Sequence, residues 1–382
     1  MLLAVVSFVV ILGLLVLVHE LGHFIVARRC GVKVEEFGIG FPPRMFGVVR
    51  DPTSRRFRLV GPTSAKPAGT IYSVNWVPLG GFVRIKGEQG EDAAEPDSFA
   101  HQGAGRRILI ISAGVLMNVM AAFAILSFGF AVGLPQVLSE ALPRGAIVSH
   151  QKIQIVEVVV GLPAARGGLQ LGDVLASIDG QAFGAMEDVQ RYLDGKINTP
   201  VSVVVDRAGS MVERSMVPTK LPGQNRGGLG IGLVRTGIVR YGLPWAIVHG
   251  AESTLNLTVD ILREFGRIFV HLIRRQPVDV DLSGPVGIAA ISGEVSRLGF
   301  RYVLQFTALL SLNLAIINFL PFPALDGGRV LFLLLAQLRG RALNARIEAA
   351  FHNVGFIILM LLVLFITYRD IFKLITGTLP GV

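Results

Sequence analysis

The sequence predicts an α-helical polytopic membrane protein with about four transmembrane helices, joined by β-rich segments. Hydrophobic residues make up 52% of the 382 positions and charged residues only 16%, which is too apolar a balance for an ordinary soluble protein. Four apolar runs approach or exceed the roughly 20 residues with which a helix crosses a bilayer. These runs cover residues 2–27, 108–134, 303–323 and 353–367.

The basic residues indicate how the chain is oriented in the membrane. The net charge is +9, but the basic residues cluster beside apolar runs rather than in one basic domain, so we expect no binding to nucleic acid. Arg28 and Arg29 follow the first run, and Arg106 and Arg107 precede the second. By the positive-inside rule, the loop 28–105 lies in the cytoplasm. The expected location is a bacterial plasma (inner) membrane that the chain crosses several times.

The cytoplasmic loop contains a segment rich in strand-forming residues. Residues 70–88 read TIYSVNWVPLGGFVRIKGE, in which these residues flank Pro78, Gly80 and Gly81. The pattern predicts a strand, a turn and a second strand, which together form a β-hairpin. A soluble hairpin is one alternative, but the apolar side chains favour contact with the bilayer or the buried core. This loop and the first two runs form the first predicted domain, residues 1–134.

Residues 135–235 form the second predicted domain, an inserted α+β unit on the extracytoplasmic side. Strand-forming runs at 153–160 and 201–206 accompany the glycine-rich sequence GLPAARGGLQLGD, and a helical stretch covers 186–193. The Gly-Leu-x-x-Gly-Asp element in that sequence resembles the signature of PDZ domains. The resemblance implies binding of extended chain ends, which such domains add as a strand to a sheet edge.

Residues 236–300 form the third predicted domain, and residues 301–382 form the fourth, which holds the last two apolar runs. The segment 243–275 is long enough to cross a bilayer, but each of its charged residues would cost about 2.5 kcal/mol or more at the membrane centre. Its apolar residues recur every three or four positions, which predicts an amphipathic helix. Two placements remain open, one at the bilayer interface and one packed on the outer domain.

The first apolar run contains a metal-binding pattern. His19, Glu20 and His23 form His-Glu-x-x-His, which on a helix places two imidazoles one turn apart on one face, where both can bind one Zn²⁺. The pattern also arises by chance in soluble helices. Ionisable residues inside an apolar run are costly unless they serve a site or a water-filled cavity, so the context favours metal binding. Glu20 then stands beside the metal as a general base.

A hydrolytic zinc centre needs a third protein ligand and an open fourth position. Asp326 meets the requirement, because it is acidic and follows the third apolar run at the depth expected for the two histidines. Alternatively, Asp326 caps the helix that follows it. Asn118 and Asn318 are amides within apolar runs, and each suits either oxyanion stabilisation or an interhelical hydrogen bond.

Together these motifs resemble the site-2 protease family of intramembrane zinc metalloproteases, most closely its bacterial branch of the regulator-of-sigma-E type, over nearly the whole chain. The resemblance implies that His19, His23 and Asp326 bind Zn²⁺ and that Glu20 is the catalytic carboxylate. The matching elements beyond them are EFGIGF at 36–41, PLGGFV at 78–83, SAG at 112–114 with Asn118, SGPVGIA at 283–289, and residues 318–328.

The resemblance also implies the reaction and its substrates. The enzyme would cut single-span membrane proteins within the bilayer, in regulated intramembrane proteolysis of anti-sigma factors or remnant signal peptides. The hairpin would pair with the unwound substrate, because an opened helix leaves backbone groups without partners. The PDZ domain would filter substrates by size, and the segment 243–275 would gate entry. The residues predicted to bind substrate are Asn318, Pro321, Gly80, Gly81 and Asn118.

Two departures and two competing interpretations accompany the resemblance. Val115 stands where many relatives have proline, and one PDZ domain is present where sigma-E-type relatives commonly have two, which weakens the size-filter account. The main competing interpretation is an inactive membrane scaffold that binds protein tails through its PDZ domain. A structural zinc usually has four protein ligands and needs no base, whereas this sequence offers three ligands and Glu20. A transporter is disfavoured, because repeated broken-helix halves are not evident.

Overall fold

The computed structural model describes residues 2–50, 56–62, 69–138, 145–159, 161–207, 209–221, 226–276, 283–340 and 345–376. The chain forms two compact units, of which the first comprises Met1–Ser127 and Gly250–Val382 and the second Phe128–His249. The helices are α1 (Leu2–Arg29), α2 (Ala104–Val132), α3 (Pro163–Arg166), α4 (Met186–Asp194), α5 (Leu243–Ile273), α6 (Pro285–Leu298), α7 (Phe300–Phe319), α8 (Asp326–Leu338) and α9 (Ala345–Ile375). The strands are β1 (Val34–Arg50), β2 (Phe57–Val60), β3 (Ile71–Ile85), β4 (Leu134–Val137), β5 (Ile147–Val158), β6 (Val174–Ile178), β7 (Val201–Arg207), β8 (Ser210–Met216), β9 (Thr219–Lys220), β10 (Gly227–Gly228) and β11 (Ile231–Arg240).

Four helices within the described ranges are long and apolar enough to cross a membrane, namely α1, α2, α7 and α9. Their number confirms the prediction. The last of them is twice as long as the predicted run, because the flanks of that run continue the helix. The helix α5 is continuous over 31 residues but does not belong to this set. Charged pairs lie along it, including Asp260 and Arg263, whose side chains are 3.1 Å apart.

The first unit contains a three-stranded sheet in the order β2-β1-β3. β1 and β3 pair antiparallel, and Gly38 in β1 lies opposite both Ser73 and Phe82 of β3. The two halves of β3 therefore both pair with β1 rather than with each other. This corrects the predicted hairpin, whose two arms would have shared hydrogen bonds. The close packing accounts for the glycine, because a Cβ atom at Gly38 would lie 2.6 Å from Oγ of Ser73.

Helix α1 packs directly on β3. At Gly80, where φ is +75°, a Cβ atom would lie 2.6 Å from Cγ1 of Val16, and at Gly81 one would lie 3.0 Å from Cδ1 of Leu17. A positive φ is unstrained only for glycine, and both glycines allow the strand backbone to approach the helix. The PLGGFV sequence thus fixes the sheet against the turn of α1 that precedes His19.

Helix α6 is held between α1 and α9, the first and the last of these four long apolar helices. Its N-terminal amide at Gly287 donates a hydrogen bond of 2.8 Å to Oδ2 of Asp370, a buried residue of α9. The acidic side chain therefore satisfies an unpaired amide of the first helical turn. At the other end, Ser296 Oγ donates to Ser7 Oγ of α1 at 2.8 Å. The two glycines of the SGPVGIA sequence leave room for Asp370, because a Cβ atom would lie 2.9 Å from its Oδ2 at Gly284 and 3.1 Å from it at Gly287.

The second unit is an α+β domain with a six-stranded sheet in the order β4-β11-β5-β6-β7-β8. The runs predicted as strands correspond to β5 and β7, and the predicted helix to α4; Val160, at the end of the first run, lies outside the described residues. Buried side chains of the sheet and of α4 form its core, including Ile155, Ile178, Val189 and Val203. This unit is an insertion between two parts of the first.

Candidate metal centre

The two histidines of the first helix are buried against α2. His19 is 6% exposed and His23 is 8% exposed. The helices α1 and α2 approach closely because Gly22 has no side chain. A Cβ atom at this position would lie 2.8 Å from the carbonyl carbon of Ala113. A Cβ atom at Gly114 would lie 2.7 Å from Nε2 of His19. The SAG sequence therefore provides the space in which the two imidazoles face each other.

Asp326 completes a compact set of ligand atoms with these histidines. Its Oδ2 atom lies 3.1 Å from Nε2 of His19 and 3.4 Å from Nε2 of His23, and the two nitrogens are 3.2 Å apart. Ligands that bind a tetrahedral zinc at about 2.0 Å stand about 3.3 Å from each other. Two imidazoles and one carboxylate at this spacing fit one face of a zinc tetrahedron.

The outer nitrogens of both rings have neighbours that orient them. Nδ1 of His23 donates a hydrogen bond of 2.8 Å to the carbonyl oxygen of Ile110, which leaves the lone pair of Nε2 directed into the centre. Nδ1 of His19 lies 3.3 Å from the amide of Asn118, which is fully buried. Of the two predicted alternatives for Asn118, the structure shows the interhelical hydrogen bond, which joins α2 to the candidate ligand His19 of α1.

The loop before α8 carries Asp326 to this position. The N-cap of α8 is Leu325, which makes no side-chain cap bond, so the alternative in which Asp326 caps the helix is wrong. A Cβ atom at Gly327 would overlap the carbonyl oxygens of Phe319 and Leu320. The absence of a side chain at Gly327 therefore lets the first turn of α8 lie against the end of α7. This packing positions the carboxylate of Asp326.

Helix α9 supports the same loop from the other side. The amide of Ala324, where φ is +71°, donates a hydrogen bond of 2.9 Å to Nδ1 of His352. The sequence did not single out His352, because it lacks any ligand spacing. Its contribution depends on a contact across 28 positions, which no local pattern reveals.

A cavity of about 120 Å³ opens onto the three candidate ligands. Glu20 lines it beside the histidines, as do Glu88 and Arg329, whose side chains form an ion pair with each other. In the sequence, Arg329 is only a marker of orientation, and Glu88 is only the end of the strand-forming segment. The pair joins the end of β3 to α8, so the cavity is bounded by both halves of the first unit.

The residues predicted to bind substrate are placed around this centre, but none of them lines the cavity. Gly80 and Gly81 face α1, and Asn118 contacts His19. Asn318 is half-buried at the end of α7, and Pro321 is exposed. Their role toward substrate stays a prediction.

A comparison with known protein families assigns the whole chain. The model of peptidase family M50 matches residues 7–362, which is nearly the whole chain. The chain belongs to peptidase family M50. This is the site-2 protease family, so the M50 peptidase described above is an intramembrane zinc metalloprotease.

Relatives of the M50 peptidase match it from end to end. It is 28% identical to the regulator of sigma-W protease RasP of Bacillus subtilis, over 97% of this chain and 98% of that protein. It is also 28% identical to the zinc metalloprotease RasP of Oceanobacillus iheyensis, over 97% and 99% of the two chains. A protein of Agrobacterium fabrum described as a candidate zinc metalloprotease is 31% identical, over 97% and 96%.

Solved structures of single domains match a smaller part of the M50 peptidase. The PDZ domain of an SdrC-like protein from Listeria monocytogenes is 24% identical over 23% of this chain and 92% of its own, with a TM-score of 0.21. A solution structure from Geobacillus thermodenitrificans is 30% identical over 21% and 94%, with a TM-score of 0.20. The assignment of the inserted unit as a PDZ domain stays a prediction.

Proposed function

We propose that His19, His23 and Asp326 bind the zinc ion of this protease and that Glu20 is its general base. The observation that carries the proposal is the spacing of 3.1 to 3.4 Å among the three ligand atoms, together with Glu20 in the same cavity. Three protein ligands leave the fourth tetrahedral position open, which distinguishes a catalytic zinc from a structural one.

The residues around the centre have separate tasks in peptide hydrolysis. When bound, Zn²⁺ supplies a Lewis acid that lowers the pKa of water to about 7 and polarises a carbonyl. The Glu20 carboxylate takes the proton of the attacking water and delivers it to the nitrogen of the leaving amine. The ion pair of Arg329 with Glu88 closes one wall of the cavity and limits the entry of bulk water.

The substrate is a single-span membrane protein that pairs with β3 after local unwinding. Val83 and Ile85 of β3 line the cavity, and β3 is the last strand of its sheet in the described part of the chain. An extended peptide added to this edge would find partners for its exposed amides and carbonyls next to the candidate ligands. Gly80 and Gly81 support this role by holding the strand against α1.

The remaining elements select and orient the substrate. The positive-inside rule supports a bacterial plasma membrane, with the metal centre toward the cytoplasm and the inserted unit, as a PDZ domain, on the outer face. That domain would contact substrates or their chain ends, and α5 would lie at the bilayer interface near the entry. Anti-sigma factors and remnant signal peptides are the two substrate types expected.

The test compares wild type with Glu20→Gln in detergent, by zinc content and by cleavage of a panel of single-span substrates with intact and trimmed outer portions. We expect about one zinc in both proteins and cleavage within the span by wild type alone. Retention of zinc without cleavage by either protein would favour the scaffold interpretation. A matched control is Glu91→Gln, which changes an exposed carboxylate in the loop after β3.

A further inference from the structure

A second cavity lies at the end of α1 and shares no lining residue with the metal centre. Its volume is about 710 Å³. It starts at Arg28, in the last turn of α1, where the apolar run ends. We use the name basic cleft for the charged and aromatic residues that line this cavity and belong to α1, to β1, β2 and β3, or to the link between α1 and β1. They are Arg28, Lys33, Arg50, Phe57 and Tyr72.

The cations of the basic cleft have few partners. Among the described residues, no hydrogen bond or ion pair joins the side chain of Lys33 or Arg50 to another residue, and the hydrogen bond of Arg28 goes to the hydroxyl of Tyr72, at 3.5 Å. Asp97 is the acidic residue of the wall, and its Oδ1 accepts a hydrogen bond of 2.7 Å from Lys86. Lys86 also pairs with Glu95, so Asp97 keeps part of its charge, but three cations against one carboxylate leave the wall of the cavity with a net positive charge that favours an anion. Guanidinium and ammonium groups together are typical of phosphate sites.

The cleft is also lined by apolar surface that a small soluble anion would not use. Phe57 is 73% exposed, and Tyr72 is 42% exposed. Aromatic side chains beside cations at the end of an apolar helix are typical of the headgroup region of a bilayer. A ligand that matches both surfaces has a negative head and an apolar tail.

We propose that the basic cleft binds the phosphate group of an anionic membrane phospholipid. Arg28, Lys33 and Arg50 surround the phosphate, while Phe57 and Tyr72 contact the first part of the acyl chains. The bound lipid belongs to the leaflet in which α1 ends. This binding site is independent of the proposed roles of the metal centre.

Lipid binding at this site would fix the depth of the metal centre in the membrane. The guanidinium of Arg28 lies 5.5 Å from the centroid of the Phe24 ring, and Phe24 directly follows His23. A headgroup that holds Arg28 at the membrane surface therefore holds the histidines of the same rigid helix at a constant distance below it.

The test measures binding of short-chain phosphatidylglycerol to the full chain in neutral detergent, by the increase in the midpoint of thermal unfolding. Phosphatidylcholine and inorganic phosphate are the comparison ligands. The variant is Lys33→Gln with Arg50→Gln, and the matched control is Arg29→Gln with Arg58→Gln, which removes the same charge from exposed residues outside the cavity lining. We expect the variant to bind phosphatidylglycerol roughly thirtyfold more weakly, and the control less than about threefold.

Other outcomes would overturn the proposal. Equal weakening in the variant and the control would show unspecific attraction to the basic surface. Equal protection by inorganic phosphate would show a soluble-anion site. Native mass spectrometry of the wild type gives a measure that does not depend on the variants: an adduct with phosphatidylglycerol that phosphatidylcholine does not replace is expected, and equal retention of both lipids contradicts the site.

Discussion

The amide of Asn118 lies 3.3 Å from Nδ1 of His19, and its Oδ1 atom is buried without a hydrogen-bond partner among the described residues. A zinc ligand that binds through Nε2 carries its proton on Nδ1. The neighbour of that proton must be an acceptor, so we expect the amide oxygen to face His19 when zinc is bound. Asn118 is then a positioning residue for the metal ligand.

Substitution of Asn118 tests this relationship through zinc affinity, measured by competition with a chelator. Asn118→Leu removes the acceptor and should weaken zinc binding by about 10- to 100-fold, whereas Asn118→Asp keeps it and should stay near wild type. Asn313→Leu is the control, because the Asn313 amide bonds to the carbonyl of Leu309 in its own helix. Equal zinc affinity of wild type and the Asn118→Leu variant would contradict the role.

Gly114 should not tolerate a side chain. A Cβ atom there would meet Nε2 of His19 at 2.7 Å, so Gly114→Ala displaces the imidazoles or separates α1 from α2. A shift of about 1 Å in a catalytic group costs about a hundredfold in rate, and we expect a loss of this size together with lower zinc content. Gly105→Ala lies on the same helix with no atom near the added methyl group, and should retain both. Unchanged activity in Gly114→Ala would mean that the imidazoles are placed differently.

His352 should affect the centre through the loop that carries Asp326. His352→Leu leaves the amide of Ala324 without its acceptor at a strained, positive φ, so the loop should lose its fixed conformation. We expect about tenfold weaker zinc binding with intact helix content, measured by chelator competition and circular dichroism. His101→Leu, in an exposed loop, is the control. An effect of equal size in both would show a general loss of stability instead.

The inserted unit should depend on pH through Asp173. Burial alone would raise the pKa of this carboxyl, but hydrogen bonds from Arg207 and from the Gln170 amide outweigh it and hold the pKa below its usual value. The stabilisation is therefore present above the unfolded pKa of about 3.9 and disappears as the pH falls through the folded value. Asp173→Asn should cost about 3 kcal/mol near neutral pH and much less in acid.

The measurement for Asp173 is the midpoint of thermal unfolding of the full chain, followed by Trp245 fluorescence after Trp76→Phe. Asp188→Asn is the control, because its pair with Arg191 is exposed at both ends and should contribute at most about 1 kcal/mol. A difference between Asp173→Asn and wild type that does not shrink in acid would contradict the linkage.

The sequence predicted those features of the fold and site that local patterns determine. Helical spacing places His19 and His23 on one face, and unbroken apolar runs form the four helices that are long enough to cross a membrane. The pairing of β3 was not predicted correctly, because its partner β1 lies before β2 in the chain and strand composition does not encode the partner. The ion pair of Glu88 with Arg329 joins residues 241 positions apart, so only the folded chain reveals it.

The first and third candidate ligands, His19 and Asp326, are 307 positions apart in the chain. A nascent chain that has inserted only its first helices holds two imidazoles and the proposed general base, but no Asp326 carboxylate to complete the set. The loop that carries Asp326 is in turn supported by His352 of the last helix. With the proposed ligands, peptidase activity therefore waits until the chain has been made through α9, so the enzyme cannot cut neighbouring membrane segments while only its first helices are inserted.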